Sequence, residues 1–216
     1  MTQLVLFDYY RSSAAYRARI ALNLKGLSYE SISVDLLHGA QKEADYRARN
    51  PQGLVPMLEA DGHRIGQSLA IIDYLDSIHP EPRLIPAEPL ARARVLALAL
   101  AVACDIHPLN NLRVLKYLAG PLGLDEEARN LWYAHWVSEG FAALELMAEE
   151  SAGRFLCGDV PTAADIFLVP QMFNARRFGV PVDSYPTLVR IDAEASKLPA
   201  FAAAHPDAIA AASKEG

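Results

Sequence analysis

Leu4-Val5-Leu6-Phe7 is a short apolar run, closed by Asp8 and the polar residues after it, and it reads as a buried strand. Ser13-Ala14-Ala15-Tyr16 then opens a helical pattern that runs to about Lys25 and stops at Gly26. Ser is a favoured N-cap and Gly a favoured residue just past a helix end. Ile20, Ala21 and Leu24 share the face such a helix would bury. Tyr29 to Val34 reads as a second strand, so the first third of the chain holds a strand–helix–strand unit. A polar stretch from Asp35 to Asn50 holds a short helix. Val55 to Glu59 and His63 to Ile65 flank Ala60-Asp61-Gly62, a hairpin with an Asp-Gly turn. Ser68 caps a further helix over Leu69 to Ile78, stopped before Pro80.

Pro82, Pro86 and Pro89 punctuate the next stretch as a linker, and the pattern changes after it. From Leu90 onward there is no convincing strand. Arg92 to Tyr117 is one long helical pattern interrupted near Pro108, and Asp125 to Met147 is another. A third runs from about Thr162 to Phe178 and a fourth from about Thr187 to Lys197. The tail after Pro199 is Ala-rich and then polar, and it is expected to fray. The expected architecture is therefore α/β plus all-α: residues 1–81 form a thioredoxin-like domain, 82–89 a linker and 90–216 an all-helical domain.

Composition narrows the function. Twenty basic residues against 26 acidic ones leave a net charge of −6, which argues against a general nucleic-acid binder. At 52% hydrophobic and 21% charged, the 216 residues can build a real core. Two cysteines exclude a disulfide framework and a Cys-rich zinc site. His38, His63, His79 and His135 show no metal-like spacing, so no metal is expected. Cys104 and Cys157 read as packed thiols. No apolar run approaches the ~20 residues of a membrane span and no secretory signal is visible, so a cytoplasmic protein is expected.

Several stretches could carry chemistry, and each has two readings. Tyr10-Arg11-Ser12-Ser13 lies between the first strand and the first helix. Its hydroxyls either cap the helix or hydrogen-bond a thiolate at the helix N-terminus, lowering the thiol pKa. Val55-Pro56 is either an ordinary edge-strand proline or a cis bond presenting the Val55 backbone to an extended ligand. Gln67-Ser68 opens a helix and either caps it or receives a carboxylate. His107, Asn110, Asn111 and Arg113 lie at the Pro108 interruption, which is either a solvated kink or a pocket wall. Arg176-Arg177 either compensates a helix dipole or binds a carboxylate. Thr162 and Asp165 have the spacing of a capping box and read as structural.

Taken in order, these stretches resemble one family. Tyr10-Arg11-Ser12-Ser13 with Arg17 to Leu22, Asn50 to Pro56, Gln67 to Ile72, Asp105 to Asn111 and Leu168 to Gln171 are similar to the zeta-class glutathione S-transferases, which include maleylacetoacetate isomerase and maleylpyruvate isomerase. The resemblance spans about Leu4 to Pro206. It implies glutathione as cofactor, a small dicarboxylate as substrate and a homodimer. It makes Ser12 the thiolate partner, with Ser13 and Arg11 beside it as catalytic residues. It places Gln52, Val55 before a cis Pro56, Gln67, Ser68, His107 and Asn111 around glutathione, and Arg11, Arg113 and Arg177 on substrate carboxylates.

The implied activity is cis–trans isomerisation of a maleyl dicarboxylate in aromatic catabolism. The alternatives are maleylpyruvate as substrate, general glutathione conjugation, and a non-catalytic interaction protein of the same fold. Two departures stand out. Ala14 occupies the place of the family's usual Cys, and Leu112 replaces the first of two Arg residues seen in maleylpyruvate isomerase, while Arg113 keeps the second. One fewer positive charge favours maleylacetoacetate.

Overall fold

A computed structural model describes residues 3–215 of the chain, in two compact units: the described residues up to Leu84 together with those from Lys197 onward, and Ile85–Ser196. The first unit is organised by β1 (Leu4–Asp8), whose apolar run is buried. It pairs in parallel with β2 (Glu30–Ser33) and antiparallel with β3 (Met57–Ala60), which pairs antiparallel with β4 (His63–Gly66). The sheet order is β2-β1-β3-β4. The parallel pair requires a crossover, and α1 (Ser13–Leu24) supplies it. The hairpin turn puts Asp61 and Gly62 at φ 48° and 82°, the two positive values an Asp-Gly turn of this kind needs.

A short 3₁₀ turn (Ala40–Lys42) and α2 (Ala44–Arg49) lead into the loop before Pro56. Tyr46 Oη and Asn50 Nδ2 both donate to the Leu54 carbonyl, at 2.7 and 2.8 Å, and so shape that loop. Gly53 sits at φ 60°, and a Cβ there would meet the Gln41 carbonyl oxygen at 2.8 Å, so this turn demands glycine. The bond between Val55 and Pro56 is cis. α3 (Ser68–Ile78) follows β4 and buries Ile71, Ile72 and Leu75.

Two buried ion pairs tie the unit together. Arg19 Nη1 reaches Asp8 Oδ1 at 2.6 Å, and Lys25 Nζ reaches Asp76 Oδ1 at the same distance and also donates to the carbonyls of His79 and Pro82. Arg19 and Lys25 are thus each paired and further hydrogen-bonded, the condition under which burial is tolerated.

The tail corrects the expectation that it frays. It forms two helices at the end of the chain, α10 (Pro199–Ala204) and α11 (Pro206–Glu215). α10 lies along α1. Tyr16 Oη, Arg19 Nε and Asn23 Nδ2 donate to the carbonyls of Phe201, Ala204 and Ala200, and Phe201 is buried. Alanine-rich helices offer little side chain, so α1 recognises this one largely through its backbone carbonyls.

The second unit is helical: α4 (Pro89–Leu100), a π-helical turn (Ala101–Ile106), α5 (His107–Asn110), α6 (Leu112–Ala119), α7 (Glu126–Glu149), α8 (Ala163–Arg177) and α9 (Pro186–Ala195). α7 buries Tyr133, Val137, Phe141, Leu144 and Ala148, a stripe at helical spacing. α8 is buried around nearly its whole circumference and is the centre of the unit. Its start is the expected capping box: Asp165 Oδ2 accepts from the N–H and hydroxyl of Thr162, while Asp165 Oδ1 accepts from Leu156 N. The interruption expected at Pro108 is a wide turn before it and a break at Asn111 after it. Gly140 of α7 lies against that turn, where a Cβ would overlap the Ile106 side chain. Cys104 corrects another expectation: it is exposed on the π-helical turn rather than packed, whereas Cys157 is partly buried beside Ser151.

Candidate active site

Ser12 is the N-cap of α1. Its Oγ accepts from Ala15 N at 3.2 Å, which satisfies one of the donors a helix start leaves open. Capping uses only a lone pair of the hydroxyl. Its O–H remains to donate, so the two readings of Ser12 are compatible in one side chain. Ser13 is buried as the first residue of α1.

Arg11, one position earlier, is partly exposed. Its Nη2 donates to Tyr9 Oη at 3.0 Å, and its guanidinium lies over the rings of Tyr9 and Tyr10, at 5.9 and 5.2 Å from their centroids. The Tyr9 hydrogen bond holds the Arg11 pKa above its ordinary value, against a small opposing effect of burial. No carboxylate among the described residues pairs with Arg11, so its positive charge is available to an anion.

The loop 50–56 and the start of α3 bring a second group together. Gln67 Nε2 donates to Gln52 Oε1 at 2.9 Å, and both residues line a cleft of about 270 Å³ together with Arg49, Asn50, Arg64 and Gly66. Glu59 lies 3.6 and 3.7 Å from Arg49 and Arg64, so this wall carries two cations against one anion. Gln67 has φ 67°, unusual for a residue with a side chain, and it marks a backbone shaped for a purpose other than helix propensity. Ser68 is buried, and its Oγ accepts from Arg17 Nη1 at 3.5 Å. Arg17 is itself buried, which pushes its pKa down from the ordinary arginine value. The Ser68 hydroxyl, accepting from a cation, keeps its O–H for an anion. Val55 has a buried side chain, and its backbone lies outside the β1–β3 ladder, which starts at Met57.

In the helical unit His107 opens α5, and Asn111 caps α6, its Oδ1 accepting from Val114 N at 3.2 Å. Arg113 and Arg177 are exposed. Arg176 is bound to Asp192 at 2.5 Å, which makes it the structural member of the Arg176-Arg177 pair. Arg177 lies 4.8 Å over the Phe178 ring, and Phe178 stacks on Tyr133 at 4.0 Å. Burial pushes the Tyr133 phenol well above its ordinary pKa, and the Arg177 charge opposes that only partly.

The comparisons with known proteins decide the family. The family model for the glutathione S-transferase N-terminal domain matches residues 6–83, and the one for the glutathione S-transferase C-terminal domain matches residues 130–205. The chain belongs to the glutathione S-transferase family. It is 51% identical to the maleylacetoacetate isomerase of Rhizobium meliloti, over 94% of this chain and 96% of that one. Among solved structures it is similar to a holo maleylpyruvate isomerase, a bacterial zeta-class glutathione S-transferase, with 45% identity, a TM-score of 0.92 and coverage of 94% and 97%. It is also similar to the maleylacetoacetate isomerase of Anaeromyxobacter dehalogenans with glutathione in its active site, at 45% identity, a TM-score of 0.87 and 96% coverage of both chains. These relatives place the chain in the zeta class.

Within this glutathione S-transferase the sequence-derived residues fall into three sets. Arg11, Ser12 and Ser13 sit together at the N-terminus of α1. Gln52, Val55, Pro56, Gln67 and Ser68 lie on the loop before β3 and at the start of α3. His107, Asn111, Arg113 and Arg177 belong to the helical unit. Sequence reading missed Tyr9, Arg17, Arg49 and Arg64. Arg49 and Arg64 are ordinary polar-face residues in the sequence, and Arg17 stands on a helix face that only packing reveals as buried. Tyr9 did carry a signal, an aromatic pair directly before the Arg-Ser-Ser run.

Proposed function

We propose that this chain is a glutathione-dependent cis–trans isomerase of a maleyl dicarboxylate, with maleylacetoacetate as the substrate. The observation that carries the reading is the turn Tyr9–Ser12, which joins a hydroxyl with a proton left to donate to an arginine with no carboxylate partner among the described residues. The 51% identity to a maleylacetoacetate isomerase supports the choice of substrate, and so does the exposed Leu112, which brings no positive charge beside Arg113.

The donor set suits glutathione, a tripeptide with two carboxylates and a thiol. Ser68, Gln67 and the first N–H groups of α3 would hold the γ-glutamyl carboxylate, backed by the buried Arg17 charge. Gln52 would extend that set, His107 and Asn111 would contribute from the helical unit, and the Val55 backbone would pair with the cysteinyl part. Bound glutathione supplies a thiolate that adds reversibly to the cis double bond, so that the bond becomes single, turns and re-forms trans.

Ser12 would donate its O–H to the sulfur at the positive end of α1 and so favour the thiolate. Ser13, beside it, contributes its place in the first turn. Arg11 would hold a substrate carboxylate in a bidentate grip and oppose the negative charge that develops on the substrate's carbonyl oxygen. Arg113 and Arg177 would bind the substrate's carboxylates from the helical unit. On this reading residues 1–81 carry most of the glutathione contacts, with Arg11 turned to the substrate, and 90–216 carry Arg113 and Arg177 for the substrate, with His107 and Asn111 for glutathione. A homodimer and a cytoplasmic location are part of the same proposal, the first checked by light scattering and the second by cell fractionation.

The test is to assay maleylacetoacetate and maleylpyruvate side by side, with and without glutathione, beside a chloro-aromatic acceptor. Isomerisation that needs glutathione and prefers maleylacetoacetate is expected. Conjugation faster than isomerisation would favour a detoxifying transferase, and calorimetry showing no glutathione binding would favour a non-catalytic protein.

A further inference from the structure

Arg11 is exposed enough to meet a substrate, yet its side chain does not wave in solvent. Three contacts fix it. Its Nη2 donates to Tyr9 Oη at 3.0 Å, and the Tyr9 and Tyr10 rings, 5.0 Å apart and tilted by 58°, lie beneath its guanidinium. Tyr9 is in turn packed into the core. It is buried in a cluster with Phe7, Val34, Tyr46, Val55 and Met57, so its ring is set by the sheet and by the residue that precedes Pro56. The chain of constraint runs from the core of the first unit, through one phenol, to one guanidinium.

We propose that Tyr9 is a positioning residue of the isomerase, which acts through Arg11 by presenting its guanidinium fork, pre-oriented, to a carboxylate of the maleyl substrate. An unrestrained arginine must surrender most of its rotamer freedom to grip a carboxylate with two parallel N–H donors. Here that freedom is already lost in the folded chain. The Tyr9 hydrogen bond uses one of five N–H donors and leaves the remainder of the fork for the ligand. Attachment to a phenol oxygen rather than a carboxylate matters as well, because a phenol orients the cation without neutralising it. The ring faces add a cation–π attraction that persists whether or not the ligand is bound. The inference rests on the proposed function, since it takes Arg11 to be a substrate ligand.

The decisive variant is Tyr9→Phe, which keeps the ring, the buried packing and the cation–π face and deletes the one oxygen that holds Arg11. It is compared with Arg11→Ala and with the double variant, by isomerase kinetics and by calorimetric titration of maleate, a bare cis dicarboxylate, into the glutathione-saturated protein. Thermal unfolding of each variant controls for folding. Tyr9→Phe should raise KM for the maleyl substrate and weaken maleate binding by about five- to tenfold, while the KM for glutathione stays within about twofold. In the Arg11→Ala background the same change should have no further effect, which is the signature of action through Arg11. Unchanged KM and maleate affinity in Tyr9→Phe would overturn the proposal, and so would an equal loss in both backgrounds, which would make Tyr9 a direct ligand. If the wild-type chain isomerises no maleyl substrate but Tyr9→Phe still weakens maleate binding, the functional reading fails and the positioning role stands.

Discussion

Ser12 shows how one side chain can hold two roles that the sequence presents as rivals. Its lone pair caps α1 and its proton stays available, so removing it should damage two separable properties. Ser12→Ala is expected to lower stability by about 0.5–2 kcal/mol, through the lost cap. It should also cut turnover by at least about tenfold, through a thiolate left unsupported, with a much smaller effect on glutathione affinity. Ser12→Asp separates the two, because a carboxylate caps a helix but cannot donate to sulfur. Its melting temperature should recover while its kcat stays low. Near-wild-type turnover in Ser12→Ala would remove Ser12 from the chemistry.

The first-turn Asp165 of α8 makes a pH-dependent prediction. Burial pushes its carboxyl up from 3.8 to about 6, although hydrogen bonds from Leu156 and Thr162 pull the other way. A carboxyl whose folded pKa is raised binds its proton more tightly in the native state. It contributes most below about pH 4, and that contribution is lost as pH rises through about 6. Asp165→Asn, which carries no titrating group, should therefore destabilise the chain more at pH 4.5 than at pH 7, by about 1–3 kcal/mol in denaturant titrations. A difference independent of pH would assign the cost to hydrogen-bond geometry alone.

The two helices that meet at Gly140 have no slack. An added methyl there would overlap the side chain of Ile106, which is fully buried. Gly140→Ala should cost about 1–3 kcal/mol despite alanine's better helix propensity, and it should shift the π-helical turn that leads to His107. Thermal unfolding with wild-type-like or higher stability would show that the turn yields freely. The break itself was legible in the sequence, because Pro108 lacks an N–H. The wide turn before it was not, since Ala101 to Ile106 is unremarkable as a local string and its geometry reflects the approach of α7.

Over the chain as a whole, the tail that local composition marks as fraying is part of the first unit. Deleting residues 199–216 removes Phe201 from a fully buried position and strips three hydrogen bonds from α1. The loss should be at least about 3 kcal/mol, read as a lower melting temperature and weaker glutathione binding. A truncated chain with unchanged stability would show that α10 only rests on the surface. Glutathione should act in the opposite direction, stabilising the native chain by about 2.7 kcal/mol at a hundredfold excess over its Kd.

Much that depends on residues near one another in the chain was determined by the sequence itself. The βαβ unit, the Asp61-Gly62 hairpin, the Thr162–Asp165 capping box and the proline-marked change into helices all follow from short-range periodicity, capping and turn chemistry. The ordered motifs also carried the family, because their spacing is a property of the string. Tertiary structure alone decided what depends on distant residues meeting: Arg17 beneath Ser68, Arg49 and Arg64 beside Gln52 and Gln67, α10 against α1, and the buried cluster that roots Tyr9. Burial and charge pairing belong to a residue's surroundings, which form only when the chain folds, and so a loop arginine becomes an oriented ligand only once its tyrosine is packed.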